Sequence, residues 1–136
     1  MNRVVLLLGS NLGNKKNNIE EALFLIEHEI GEIKQRSDLL ESAPEGYESE
    51  NFYLNIGIVI YTLLSPVQLL HRLKNIEHRL GRVIDSSISN KYEDRIIDID
   101  IIYFNTVRFQ SKKLKIPHSA HTLKRGFSKK ILHQMT

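Results

Sequence analysis

Two aspartates interrupt one of the most apolar stretches of the chain. Asp98 and Asp100 lie in the isoleucine-rich segment 95–104, whose β-branched composition predicts a strand. Side chains alternate between the two faces of a strand, so the carboxylates share one face and Ile97, Ile99 and Ile101 occupy the other. The Cα atoms of the two aspartates then lie about 6.5 Å apart. Two like charges that close on a half-buried face are costly unless a cation lies between them.

A divalent metal would explain this pair of carboxylates. Magnesium is commonly held by one or two carboxylates, with water and substrate phosphates completing its octahedron. The alternative is a solvated strand face with alternating polar residues. The spacing alone leaves both interpretations open.

Length and composition indicate one domain, residues 1–136, with a core of its own. The absence of cysteine excludes a disulfide framework, thiolate zinc sites and cysteine nucleophiles. The apolar run 4–8 is too short to span a bilayer and has no cleavage site after it. We therefore expect a cytoplasmic protein, a monomer without a membrane partner.

Charge is distributed unevenly along the chain. Residues 1–100 hold 11 Lys and Arg against 16 Asp and Glu, whereas residues 101–136 hold 8 basic residues and no acidic residue. A cationic final quarter facing an acidic body suggests a bound polyanion, with metal on one side and Lys or Arg on the other. A nucleic acid fits less well, because Asp98 and Asp100 would repel its phosphates unless a metal intervened.

The predicted elements follow the order β-α-β-β-α-β. This order predicts an α+β fold, a ferredoxin-like antiparallel sheet with helices packed on one face. Ser65, Pro66 and Gln68 predict a capping box at the second helix, and the segment after His118 is poorly patterned. The strands and helices are predicted at residues 4–8, 15–30, 33–40, 53–61, 66–80 and around the two aspartates.

Three further segments carry candidate chemistry. The loop 9–15 lacks the spacing of a phosphate-binding P-loop, so we expect it to turn the chain and cap the first helix through Ser10, Asn11 or Asn14. Glu77 lies beside the apolar stripe of the second helix, where it either meets a ligand or pairs with Lys74.

Tyr53 and Asn55 share one face of a predicted strand. An aromatic ring beside an amide suits a flat heterocycle, which the ring can stack on and the amide can hydrogen-bond. A structural cross-strand pair explains the same pattern. Basic residues that suit phosphate oxygens are Arg82, Arg95, Lys115, His118 and Arg125.

Taken together, these motifs resemble hydroxymethyldihydropterin pyrophosphokinase of folate biosynthesis. The resemblance covers residues 3–118 and extends to Arg125-Gly126-Phe127. The motifs that carry it are Leu8-Gly9-Ser10-Asn11-Leu12-Gly13, Phe52-Tyr53-Leu54-Asn55, Gly81-Arg82-Val83, Arg95-x-x-Asp98-Ile99-Asp100 and Pro117-His118.

The resemblance implies a transfer of pyrophosphate from ATP to the hydroxymethyl group of a reduced pterin, with release of AMP. Asp98 and Asp100 would then bind two Mg2+ ions, and Arg82 and Arg95 would be the catalytic residues that neutralise charge near the β-phosphate. The pterin would contact Ser42, Glu45, Tyr53, Asn55 and Phe127. The ATP side would be lined by Glu77, Lys115, His118 and Arg125.

The chain departs from the family pattern in the loop before the aspartates and after Pro117. Tyr92-Glu93-Asp94-Arg95 replaces an aromatic-Gly-Pro-Arg motif, and Ile84 stands where a second arginine is common. One extra residue lies between Pro117 and Arg125, and the usual apolar final run is replaced. These departures make an impaired family member that only binds nucleotide or pterin one alternative. The basic final quarter makes an RNA-binding module of the same fold a distant alternative.

Overall fold

The computed structural model describes residues 1–43, 52–81, 96–105, 109–111, 113–118 and 126–134, with backbone only for 109, 126–128 and 134. The elements in chain order are β1 (Asn2–Ser10), α1 (Lys15–Glu29), β2 (Gly31–Arg36), β3 (Leu40–Ser42), β4 (Tyr53–Thr62), α2 (Pro66–Arg79), β5 (Asp98–Phe104), β6 (Phe109–Gln110), β7 (Lys115–Ile116) and α3 (Gly126–Gln134). Among the helices in these ranges, none has the length and apolar character needed to cross a membrane.

The main sheet is antiparallel, with strand order β2-β4-β1-β5 and β3 also paired with β4. This arrangement confirms the predicted α+β, ferredoxin-like sheet. The single strand predicted over residues 33–40 is wrong, because two short strands pair with different halves of β4. Between them Ser37 bonds twice to Gly57: its amide donates to the Gly57 carbonyl at 2.9 Å, and its hydroxyl accepts from the Gly57 amide at 2.8 Å. The Ser37 side chain therefore replaces a backbone acceptor between β2 and β3, which interrupts the regular hydrogen bonding to β4.

The first face of the sheet carries the larger core. Helices α1 and α2 pack there, and alternate residues of β1, β4 and β5 face them. Apolar spacing predicts inner stripes on both helices, and every residue of these stripes is buried except Leu80, which is partly buried: Leu23 and Ile26 of α1 with Ile30 at its C-cap, and Leu69, Leu73 and Ile76 of α2 with Leu80 at its C-cap. Both helices thus use their apolar faces to cover one side of the sheet.

The second face of the sheet is covered at one end by α3. Ile131 and Leu132 of this helix are buried against Val5, Val59 and Ile102. The sequence did not predict this helix, and the expectation that the helices all lie on one face is therefore incomplete. The other end of the second face, around Gly9, is where the two aspartates and the Tyr53 segment meet.

Helix termini follow the sequence. Ser65 accepts from the Gln68 amide at 3.2 Å and Gln68 accepts from the Ser65 amide at 2.9 Å, which confirms the predicted capping box. At α1 the cap is Asn14, whose side chain accepts from the Asn17 amide at 3.1 Å. Gly13 precedes it with φ of 68°, a conformation that glycine adopts readily. The loop after β1 therefore caps the helix, as expected.

Replacing Ile131 by alanine is expected to destabilise the fold by about 2–4 kcal/mol, since a large aliphatic side chain leaves a fully buried site. Urea unfolding followed by circular dichroism measures this change. The matched control is Lys130→Ala, an exposed neighbour on the same helix, for which we expect a change below about 0.5 kcal/mol. Equal effects of the two substitutions would show that α3 does not cover the second face.

Candidate active site

The two aspartates lie at the Gly9 end of the second sheet face, away from the end that α3 covers. On the β1–β5 ladder Asp98 pairs with Gly9 and Asp100 pairs with Leu7, whereas Ile97, Ile99 and Ile101 join the core beneath α1 and α2. The predicted alternation of carboxylates and isoleucines is therefore confirmed. Both aspartates are half-buried, so the face that they share is only partly exposed to solvent.

A bulge in β5 separates the Gly9 end of this face from the end that α3 covers. The register shifts between Val5 and Leu6 of β1, which pair with Tyr103 and Ile101, so Ile102 is the extra residue. Ile102 joins the core under α3 together with Val5 and Tyr103. A bulge adds a residue and bends the strand, which allows one strand to seal one end with apolar residues and present carboxylates at the other.

Tyr53 and Asn55 lie on the same face as the aspartates, across β1. Gly9 pairs with Asn55 on one side and with Asp98 on the other, which forms a cross-strand row. A Cβ atom on Gly9 would lie 3.0 Å from Asn55 Oδ1 and 3.1 Å from the Tyr53 ring. Glycine thus allows the Tyr53 ring and the Asn55 amide to pack directly against the β1 backbone, beside the carboxylates.

Asn55 is held in place by its neighbours. Its Nδ2 donates to the Leu40 carbonyl and to Ser42 Oγ, both at 2.9 Å, and the residue is almost fully buried. The amide nitrogen is therefore committed to β3, and Oδ1 is the atom turned toward Gly9. The site offers an acceptor at this point, with Ser42 positioned beside Tyr53 by strand pairing.

A cleft of about 280 Å³ lies along the outer edge of β5. Its walls come from α2, from β5 and from the β6–β7 hairpin with the residues after it. Three lysines line it together with one carboxylate and one imidazole, which suits a bound anion. The lining residues are Leu70, Lys74, Ile99, Asp100, Ile101, Ser111, Lys113, Leu114, Lys115 and His118.

His118 joins the cleft to the carboxylates. Its amide donates to the Ile102 carbonyl at 3.1 Å, which fixes the segment after β7 against β5. Its Nε2 lies 3.9 Å from Asp100 Oδ2. The structure therefore brings His118, Lys115 and Asp100 to one cleft. Lys115 and His118 are both residues that the family resemblance places on the ATP side.

Glu77 lies beneath β5 rather than in open solvent. Only 2% of its side chain is exposed, Oε2 accepts from the Ile99 amide at 2.7 Å, and Oε1 lies 3.7 Å from Lys74 Nζ. The predicted pairing with Lys74 is confirmed. The sequence did not indicate the bond to β5, because the pairing of a helix with a strand edge has no local signal.

The donor set around Asp98 and Asp100 fits magnesium. Within the described part of the chain, no group of three or more His, Asp or Glu side chains could hold a metal ion. Mg2+ in proteins is usually bound by one or two carboxylates, with water and substrate phosphate oxygens as its remaining ligands. Two aspartates are therefore sufficient protein ligands for it. A transition metal that needs several imidazole or thiolate ligands has no such set in those residues.

Several predicted site residues lie outside the described residues. Glu45, Arg82, Arg95 and Arg125 fall in this category, and Phe127 is described only as backbone in the first turn of α3. Their predicted roles stay predictions. The close packing at Gly9 was not predicted from the sequence, although a glycine inside a strand often marks close approach. Lys113 was not predicted as a site residue either, although it belongs to the basic final quarter.

The sheet and the residues at its Gly9 end define a class of protein: an α+β fold that presents carboxylates suited to a cation beside a lysine-lined cleft suited to an anion. The family model of 7,8-dihydro-6-hydroxymethylpterin-pyrophosphokinase (HPPK) matches residues 5–136. The chain belongs to the HPPK family.

Similar proteins agree with this assignment. The 2-amino-4-hydroxy-6-hydroxymethyldihydropteridine pyrophosphokinase of Porphyromonas gingivalis is 36% identical over 116 residues, which are 85% of this chain and 78% of that protein. The enzyme of the same name from Bacillus subtilis is 32% identical over 120 residues, 87% of this chain and 70% of that protein.

Other relatives are longer, multi-activity proteins. A mitochondrial folate synthesis bifunctional protein of Arabidopsis thaliana is 38% identical over 115 residues. These residues are 85% of this chain but only 20% of that protein. Among solved structures, wild-type HPPK-DHPS of Plasmodium falciparum matches with a TM-score of 0.66 and 19% identity, over 90% of this chain and 36% of that chain. At this identity the structural match supports the fold.

Proposed function

We propose that this chain transfers pyrophosphate from ATP to the hydroxymethyl group of 6-hydroxymethyl-7,8-dihydropterin, giving AMP and the pterin diphosphate for folate synthesis. The observation that carries the proposal is the row Asn55–Gly9–Asp98. It brings an aromatic-amide pair and a carboxylate pair onto neighbouring strands, separated by the single residue Gly9, so an acceptor and a phosphate donor bound there would meet.

The pterin half rests on Tyr53, Asn55 and Gly9. The exposed part of the Tyr53 ring offers a stacking surface, and Asn55 Oδ1 offers an acceptor for an N–H group on the edge of the heterocycle. The bonds from Asn55 Nδ2 to Leu40 and Ser42 fix this orientation before the ligand arrives. A pre-organised acceptor lowers the entropy cost of binding.

The ATP half rests on the cleft along β5. Lys74, Lys113 and Lys115 supply positive charge opposite Asp100, and Leu70 and Leu114 supply apolar surface for a base. His118 lies at the junction of cleft and carboxylates. A nucleotide in this cleft would direct its phosphates toward the row that holds the pterin.

Asp98 and Asp100 are the residues that would hold the metal, with two Mg2+ ions expected from the family. Bound Mg2+ supplies Lewis-acid stabilisation of charge on the phosphate oxygens. The contribution of the chain is to keep both carboxylates on one face through the strand alternation and the Gly9 and Leu7 pairing. Their position beside the pterin surface orients the acceptor hydroxyl toward the phosphates.

The remaining roles come from the family resemblance. Arg82 and Arg95 would neutralise charge near the β-phosphate, Arg125 would contact ATP, and Glu45 and Phe127 would complete the pterin site. We expect the ligands to be small molecules alone. A cytoplasmic location and a monomeric state are part of the same proposal.

The test is product analysis of the purified chain with ATP, Mg2+ and the reduced pterin, resolved by ion-exchange chromatography. We expect AMP and pterin diphosphate in equal amounts, with no AMP when the pterin is omitted. Formation of ADP and a pterin monophosphate would contradict pyrophosphoryl transfer. Binding of both ligands without any turnover would instead support the impaired family member.

A further inference from the structure

Glu77 is a buried carboxylate that makes two separate connections. Its side chain is 2% exposed, on the inner face of α2 among Leu73 and Ile76. Burial of a carboxylate is costly unless hydrogen bonds and a counter-charge compensate it. Here Oε2 accepts from the Ile99 amide at 2.7 Å and Oε1 lies 3.7 Å from Lys74 Nζ, so each oxygen has a partner within the protein.

The first connection fixes the strand that carries the aspartates. Ile99 lies between Asp98 and Asp100, and β5 is the last strand in the described order of the main sheet. A backbone amide at a sheet edge needs an acceptor other than a neighbouring strand. Glu77 provides that acceptor at the residue between the two carboxylates, so it restrains the backbone that sets their spacing.

The second connection reaches the anion cleft. Lys74 lines the cleft together with Asp100 and Lys115, and its ammonium group is attracted to Glu77 at the inner wall. One carboxylate therefore links the strand of the proposed metal ligands to a cation of the proposed phosphate site. Both links start from α2, which the large core holds rigidly against the sheet.

We propose that Glu77 is a positioning residue, not a ligand of the nucleotide. It holds the Asp98–Asp100 backbone and the Lys74 ammonium group in the mutual arrangement that binds a metal–nucleotide complex. This inference rests on the proposed function, because it assumes that the aspartates hold the metal.

The experiment is a titration of the 136-residue chain with Mn2+ and a nonhydrolysable ATP analogue, followed by electron paramagnetic resonance of free Mn2+. Loss of a residue that orients metal ligands typically weakens metal affinity about 10- to 100-fold. We expect a loss of that size for Glu77→Ala. Glu77→Gln retains a carbonyl oxygen for the Ile99 amide, so we expect metal affinity within about threefold of the wild type.

Two further variants separate positioning from other effects. Lys74→Ala removes the ammonium group and its aliphatic stem but leaves the bond from the Ile99 amide to Glu77, so we expect weaker binding of the analogue with Mn2+ affinity within about threefold of the wild type. Thr62→Ala removes a buried hydroxyl that donates to the Ile30 carbonyl at 2.8 Å, at the opposite end of β4. It is expected to lower the melting temperature without changing Mn2+ affinity.

Each outcome bears on a distinct claim. If the wild-type chain binds no Mn2+ with the analogue, the proposed function fails and the inference fails with it. If the wild type binds but Glu77→Ala binds equally well, only the inference is overturned. The inference is also overturned if Thr62→Ala lowers Mn2+ affinity as much as Glu77→Ala does. It is likewise overturned if Glu77→Gln lowers Mn2+ affinity as much as Glu77→Ala, because the lost negative charge would then explain the effect.

Discussion

Replacing Asp98 and Asp100 by asparagine is expected to lower the rate of AMP formation by at least about 10³-fold. Metal coordination at a phosphoryl group contributes several kcal/mol to transition-state stabilisation, and about 4 kcal/mol corresponds to this factor. The fold should tolerate the change, because an amide is isosteric with a carboxylate and the substitution removes two like charges from one strand face. Steady-state kinetics and thermal melting of the apo chain measure the two effects.

The matched control is Glu32→Gln. The Glu32 side chain is exposed, and its backbone on β2 is paired with Tyr61 of β4 at the far end of the sheet. We expect it to leave the rate unchanged within about twofold. An asparagine double variant that keeps most of its Mg2+-dependent rate would remove the aspartates from the proposed chemistry. A double variant that fails to fold would show that the carboxylates are structural.

Replacing Tyr53 by alanine is expected to weaken pterin binding about 10- to 100-fold, since stacking of a base on an aromatic ring is worth about 1–3 kcal/mol. The structure supports a stacking role because the ring lies over Gly9, with its edge 3.1 Å from the position of a Cβ atom there. Affinity for the ATP analogue should stay within about twofold. Isothermal titration calorimetry with each ligand separately gives both values.

Tyr53→Phe is the corresponding control, because it keeps the ring and removes only the hydroxyl group. We expect its pterin affinity to lie within about threefold of the wild type. A large loss for Tyr53→Phe would mean that the hydroxyl, not the stacking face, recognises the ligand. Parallel losses of pterin and ATP analogue in Tyr53→Ala would place the ring in the nucleotide site instead.

The chemistry of the site could be predicted largely from local sequence patterns. The alternation around Asp98 and Asp100 determined which residues share a face, and the same rule grouped Tyr53 with Asn55. The Ser65 capping box fixed the start of α2. These features depend on periodicity within one element, which a sequence displays directly.

Features that depend on contacts between elements could not be predicted. Glu77 and the Ile99 amide are 22 residues apart, and no local pattern indicates that they meet. The helix α3 buries only two of its described side chains, Ile131 and Leu132, too few for a periodic signal. The β5 bulge, which separates the end of the sheet face under α3 from the Gly9 end, arises from pairing with β1.

The two proposed binding regions lie on different parts of one sheet. The edge of β5 provides the cleft with Lys74 and Lys115, and the second face provides Tyr53 and Asn55. Asp100 lines the cleft and Asp98 adjoins Gly9. The carboxylate pair therefore occupies the boundary between the two proposed binding regions.

The central claim is tested most directly by a crystal structure of the chain with a nonhydrolysable ATP analogue, Mg2+ and the pterin. We expect Mg2+ at about 2.1 Å from the carboxylate oxygens of Asp98 and Asp100, phosphates in the lysine-lined cleft, and the pterin ring stacked on Tyr53 beside Asn55. An analogue bound elsewhere, with both carboxylates facing solvent and no metal between them and the phosphates, would contradict the account.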